Sequence, residues 1–180
     1  NNLMKKRKSV IGVIGLGYVG LPLSILFAKK GFKVLGFDID KKKVALVNSR
    51  KSYIDRIKNS ELDIILKKGK CYSTFNKISE CDIIVVCVPT PLKNKNIPDL
   101  SFIRSTFNSV KKYLRAGQLL ILESTSYPGT TREELVNKVG KDIVPGINFF
   151  IGFSSERINP GFNESTIHKV PKVVSGFSKN

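Results

Sequence analysis

A nearly unbroken apolar run, Val10 to Ile14, leads without a spacer into Gly15-Leu16-Gly17-Tyr18-Val19-Gly20. An apolar run this short, with no polar alternation, reads as a strand from Ser9 to Ile14 buried on both faces of a parallel sheet. Glycines at the first, third and sixth positions after it serve three different needs: a tight turn, a backbone that something else approaches closely, and a helix packed hard against its strand. Leu21 to Lys30 reads as that helix, with Leu23, Leu26 and Phe27 on one face, Pro22 in its first turn and Gly31 closing it. Lys33 to Phe37 then reads as a second strand, ending in Asp38.

The same alternation continues. Helices are expected from about Lys41 to Arg50 and from Ser60 to Lys68, a short strand over Tyr72 to Phe75, and a strongly apolar strand from Asp82 to Val88 that Pro89 and Pro91 stop. Asp99 is placed to cap a helix running to about Leu114, with Gly117 ending it, and Gln118 to Glu123 reads as the next strand. Two overlapping capping boxes, Thr130 with Glu133 and Thr131 with Glu134, predict a helix to about Val139, and Ser124 to Tyr127 is the turn before it. Asn148 to Phe153 and Val170 to Ser175 complete the strands, with a loop from Ser154 to Gly161. Strands and helices alternating at this spacing give an α/β fold, a doubly wound, mostly parallel Rossmann-like sheet whose ligands sit beyond the carboxyl ends of the strands.

At those ends the glycine motif, followed about twenty residues later by an acidic side chain, predicts a dinucleotide site. Gly15, Leu16, Gly17, Tyr18, Val19 and Gly20 would carry the diphosphate at a helix N-terminus, and Asp38 would accept the adenosine ribose hydroxyls. A carboxylate there repels a 2′-phosphate, so NAD is expected over NADP; Lys43 close by leaves the alternative that a cation meets a phosphate. Val88, Pro89, Thr90, Ser124 and Thr125 fall where the nicotinamide half should lie, though Thr90, Ser124 and Thr125 equally suit turns and caps. Glu156 with Arg157 follows a buried strand on the ligand side and reads either as an acid/base carboxylate with its partner or as a surface ion pair. His168 reads as a surface residue.

Charge and cysteines narrow the field further. The formal charge is +17, but the lysines lie singly or in short groups on solvated helix faces and no basic segment is interleaved with aromatics, so a nucleic-acid partner is not expected. No apolar run is long enough to cross a bilayer, and the basic residues 1–8 are not followed by a leader's apolar stretch; the chain reads as soluble and cytoplasmic, with no membrane partner. Cys71, Cys81 and Cys87 have neither metal-site spacing nor the even count of a disulfide framework, and read as reduced packing residues with no metal.

Four segments together resemble one family: Gly12 to Leu23, Val88-Pro89-Thr90-Pro91-Leu92, Glu123 to Thr131, and Ser154-Ser155-Glu156-Arg157-Ile158-Asn159-Pro160-Gly161. Their sequence and order resemble the UDP-glucose/GDP-mannose dehydrogenases, and within them the UDP-N-acetylhexosamine 6-dehydrogenases. The resemblance implies oxidation of the C6 alcohol of a UDP-sugar to the uronic acid with two NAD, for surface polysaccharide precursors. It implies further that Asp38 and Lys43 bind the adenosine ribose, that Thr125 positions water or substrate, that Glu156 is the acid/base or water-activating carboxylate, and that Glu156, Arg157, Ile158 and Asn159 contact substrate. Ser155 stands where the family usually has proline. Residues 1–8 are then a basic tail and 9–180 the NAD-binding domain, with the family's central helix, its UDP-binding domain and its nucleophilic cysteine outside this chain. The chain alone is therefore expected to bind NAD without completing the reaction, and the full-length protein to be a homodimer or larger. The alternatives are a UDP-glucose 6-dehydrogenase, another NAD-dependent alcohol dehydrogenase, or a non-catalytic dinucleotide-binding module.

Overall fold

The computed structural model describes residues 8–93, 97–140, 142–155 and 172–178. Strand β1 (Val10–Ile14) runs into helix α1 (Gly20–Lys29), and the chain reverses through Gly31, at φ 92°, to β2 (Lys33–Phe37). Helices α2 (Lys41–Asn48) and α3 (Asn59–Leu66) follow, then β3 (Lys70–Tyr72) and β4 (Ile83–Val86). A small antiparallel pair, β5 (Leu92–Lys93) with β6 (Ile97–Pro98), precedes α4 (Ser101–Val110) and β7 (Leu119–Leu122). The remaining elements are a short α5 (Thr130–Glu134), β8 (Phe150–Ser154) and β9 (Val174–Gly176).

Seven strands form one sheet in the order β3-β2-β1-β4-β7-β8-β9, parallel throughout except for β9, which runs antiparallel to β8. The chain winds outward from β1 to β3, then crosses back and starts again at β4 on the other side of β1. Connections leaving β1 and β4 in opposite directions open a crevice at their carboxyl ends, where this class of sheet binds ligands.

Alternation along the strands divides the core in two. Ile11, Val13, Val34 and Val85 face one side of the sheet and pack on Leu21 and Ile25 of α1, Val44 and Val47 of α2, and Leu62 and Ile65 of α3. Ile14, Leu35, Phe37, Ile84, Val86, Leu120 and Leu122 face the other, against Ile103, Phe107 and Val110 of α4 and Leu135 beyond α5. Burial on both faces explains why these strands read as apolar runs rather than alternating ones. Among the described residues no helix is long and apolar enough to cross a membrane.

Several boundaries depart from the sequence reading. The strand expected over Tyr72 to Phe75 pairs instead over Lys70 to Tyr72; Tyr72 and Phe75 both pack on the Phe37 ring, at centroid distances of 5.9 and 6.2 Å, so the apolar signal past Tyr72 belongs to ring packing. Asp99 caps from one residue further back than expected, its Oδ1 accepting the Ser101 N–H at 2.9 Å, and α4 gives way to a 3₁₀ turn after Val110. Neither capping box forms. Gly129, left-handed at φ 98°, starts α5, and the Thr130 hydroxyl turns back to donate to Tyr127 O at 2.8 Å. The α-helix ends at Glu134 and, through Leu135 at φ −117°, ψ −61°, passes into a 3₁₀ turn over Val136–Lys138, so the helical stretch reaches nearly to Val139 but not as one α-helix.

Candidate cofactor site

The ends of β1 and β4 lie side by side: Ile14 pairs with Val86, and the Cys87 N–H donates to Ile14 O at 2.8 Å. Gly15 then turns the chain at φ 90°, its N–H donating to Phe37 O at 2.8 Å. A Cβ at Gly15 would lie 2.6 Å from Cys87 O, and one at Gly20 only 1.8 Å from Gly15 O. These two glycines are required by the protein's own backbone. Gly17 differs, since its φ is not positive and a Cβ there would meet nothing within 4 Å. No part of the described chain requires glycine at 17, whereas a bulky anion laid on the loop would. No side chain caps the start of α1 at Val19, and Tyr18 is 60% exposed, so the loop is open on that side. The residues present thus fit a diphosphate at this helix start.

Asp38, expected on the adenosine side, stands at the end of β2. Its Oδ2 accepts the Leu16 N–H at 2.8 Å and its Oδ1 the Asp40 N–H at 2.9 Å, while Asp40 in turn caps α2 by accepting from Lys42 and Lys43. An ionised carboxylate has about four acceptor positions, so two bonds to the backbone leave acceptor capacity for ribose hydroxyls. Lys43, half-buried, brings its ammonium to 6.0 Å from the centre of the Tyr53 ring.

Tyr53 and Arg56 escaped the sequence reading. Both come from the irregular segment between α2 and α3, where no periodicity marks them, yet both reach the glycine loop: the Tyr53 hydroxyl donates to Leu16 O, and Arg56 Nη2 donates to Tyr18 O at 2.7 Å. Burial, and after it the charge of Asp38, pushes the Tyr53 hydroxyl well above the ordinary tyrosine value, so it remains a donor at any ordinary pH.

Across the crevice, Val88 and Thr90 are half-buried, while Pro89 and Thr125 are exposed. The buried Ser124 hydroxyl donates to Val88 O at 2.6 Å and so ties the loop after β4 to the end of β7. Next to it, buried Glu123 is ion-paired with Lys172, which brings the start of the segment leading to β9 to this end of the sheet. Glu156, Arg157, Ile158, Asn159 and His168 lie outside the described residues; Ser155, just before them, is half-buried.

A family model described as the UDP-glucose/GDP-mannose dehydrogenase family, NAD binding domain, matches residues 9–180. The chain belongs to that family. Its relatives include Protein CapL of Staphylococcus aureus, 39% identical over 170 residues, and the UDP-N-acetyl-D-glucosamine 6-dehydrogenase of Pseudomonas aeruginosa, 38% identical over 170 residues; each match covers 92% of this chain and 39% of the relative. Among solved structures, a UDP-D-ManNAc dehydrogenase from Pyrococcus horikoshii superposes with a TM-score of 0.82 at 32% identity, covering 94% of this chain and 41% of that one. The chain therefore spans about two fifths of the length of these family members, and the part it spans is their NAD-binding domain.

Proposed function

We propose that residues 9–180, preceded by a basic tail, are the cofactor half of a nucleotide-sugar dehydrogenase that oxidises C6 of a UDP-N-acetylhexosamine to the uronic acid, in the cytoplasm, for surface polysaccharide. The observation carrying this is the 38% identity to a UDP-N-acetyl-D-glucosamine 6-dehydrogenase over 92% of the chain, joined to a glycine at position 17 that no described part of the chain requires. When bound, NAD supplies the hydride acceptor for an alcohol oxidation.

The chain's own groups then divide the work. The amides of Gly17, Tyr18 and Val19 hold the diphosphate, with Gly15, Leu16 and Gly20 shaping the loop, and Asp38 accepts the ribose hydroxyls beside Lys43. Val88, Pro89, Thr90 and Ser124 border the nicotinamide half, and Thr125, exposed at the end of β7, holds water or substrate near the reacting carbon. Glu156 moves the proton, with Arg157, Ile158 and Asn159 against the sugar. The nucleophilic cysteine of the family falls in the part this chain does not span, so the UDP-sugar site is completed elsewhere in a homodimeric or larger full-length protein, with no part for nucleic acid or membrane.

The test has two arms. Calorimetry on the 180-residue chain should show NAD binding preferred over NADP, and that chain should form no NADH from UDP-N-acetylglucosamine, UDP-N-acetylmannosamine or UDP-N-acetylgalactosamine. The full reading frame should oxidise one of these faster than UDP-glucose. Preference for UDP-glucose, or rapid oxidation by the 180-residue chain alone, would overturn the assignment.

A further inference from the structure

The first turn of α1 lacks one rung. Leu21 N–H donates to Gly17 O at 3.1 Å and Leu23 N–H to Val19 O at 3.2 Å. The carbonyl between them, Tyr18 O, would take its helical partner from residue 22, and Pro22 has no N–H to give. Arg56 fills the gap from 38 residues away, donating to Tyr18 O at 2.7 Å. Two residues earlier the Tyr53 hydroxyl donates to Leu16 O. Alternate carbonyls of the glycine loop are therefore held by side chains of one segment, the turn between α2 and α3.

Peptide geometry carries this to the opposite side of the loop. In a trans peptide the C=O of one residue and the N–H of the next point in opposite directions. Holding Leu16 O and Tyr18 O toward Tyr53 and Arg56 turns the Gly17 and Val19 amides away from them. We propose that Tyr53 and Arg56 are positioning residues for NAD: they clamp the carbonyl side of the loop, Arg56 standing in for the N–H that Pro22 lacks, so that the amide side is preset for the diphosphate. The proposal rests on the assignment of the glycine loop to the cofactor.

The missing rung supplies a test that separates this role from general packing or from simple charge. On the 180-residue chain, Arg56→Ala should weaken NAD binding by calorimetry about tenfold, as expected for loss of one hydrogen bond from a charged donor, while circular dichroism shows the fold intact. Pro22→Ala gives residue 22 a backbone N–H that can donate to Tyr18 O. The double variant Pro22→Ala with Arg56→Ala should therefore bind NAD within about twofold of Pro22→Ala alone. Tyr53→Phe, which keeps the ring and removes the donor, should weaken NAD binding and should not be rescued by Pro22→Ala. Arg56→Ala binding like the parent, or no rescue in the double variant, overturns the proposal while leaving the cofactor assignment standing. A parent chain that does not bind NAD overturns both.

Discussion

Asp38 reaches back across the first crossover to accept the Leu16 N–H at 2.8 Å, so the carboxylate proposed to hold the ribose also holds the glycine loop proposed to carry the diphosphate. On that proposal one side chain joins the two halves of the adenosine diphosphate site. Asp38→Asn should weaken NAD binding and lower the NAD-to-NADP preference by about tenfold, because the charge that repels a 2′-phosphate is removed. Asp38→Ala should in addition lower stability by about 1–3 kcal/mol, since two backbone N–H groups lose their acceptor. Parallel titrations with both coenzymes and a denaturant melt check this; unchanged coenzyme preference in Asp38→Asn would remove Asp38 from the ribose site.

The glycines of the loop should respond differently to the same change. A Cβ at Gly20 would lie 1.8 Å from Gly15 O, so Gly20→Ala should destabilise the chain by about 3 kcal/mol through steric overlap. A Cβ at Gly17 meets no protein atom within 4 Å, so Gly17→Ala should leave stability within about 1 kcal/mol while lowering NAD affinity about tenfold or more. Thermal melts paired with calorimetry separate the two outcomes, and normal NAD binding by Gly17→Ala would show that the diphosphate lies elsewhere.

On the opposite face of the sheet, the buried Glu134 carboxylate lies between Arg104 at 2.7 Å and Lys138 at 2.5 Å. The Arg104 hydrogen bond, followed by the one from Lys138, lowers its pKa from 4.5 to about 2. A depressed carboxylate pKa means that the unfolded chain binds the proton first, so this stabilisation is complete above pH 4.5 and is lost as pH falls toward about 2. Stability measured across that window should fall with acid, and less steeply in Glu134→Gln. Equal slopes would mean that the pair contributes nothing.

Cys71 and Cys81 should be silent toward alkylating reagents in the native chain. Burial drives both thiols up to about 12, and each fills space left by a glycine on a neighbouring strand: Cys71 Sγ lies 2.7 Å from where a Cβ of Gly36 would be, and Cys81 Sγ 2.8 Å from that of Gly12. At about pH 8 both should react only after denaturation, since the thiolate is the reactive form. Mass spectrometry of the alkylated native chain checks it, and rapid native labelling at either position would refute it.

Much of this architecture was legible because buried parallel strands and turn glycines leave strong local signals. Val10 to Ile14, Lys33 to Phe37 and the glycine loop all fall where pattern placed them, and Asp38 ends its strand beside Leu16 as the motif spacing required. Local chemistry misled where tertiary contacts competed for the same groups. Thr130 with Glu133 has the spacing of a capping box, but the Thr130 hydroxyl serves the Tyr127 carbonyl, and Phe75 suggested a strand when its ring was needed against Phe37. Tyr53 and Arg56 left no signal at all, because a contact spanning 37 or 38 residues has no period to read. The bond from the Ser124 hydroxyl to Val88 O, which braces two strand ends 36 residues apart, likewise has no local pattern to mark it.

The strand that launches the glycine loop has a ladder on each side, β2 on one and β4 on the other, and helices over both its faces. Segments enclosed in this way unfold last, so amide deuteration along Gly12 to Ile14 should report only whole-molecule unfolding. Fraying at β3 or β9, the outermost strands, would leave that support undisturbed, and coenzyme would come and go over a floor that does not move.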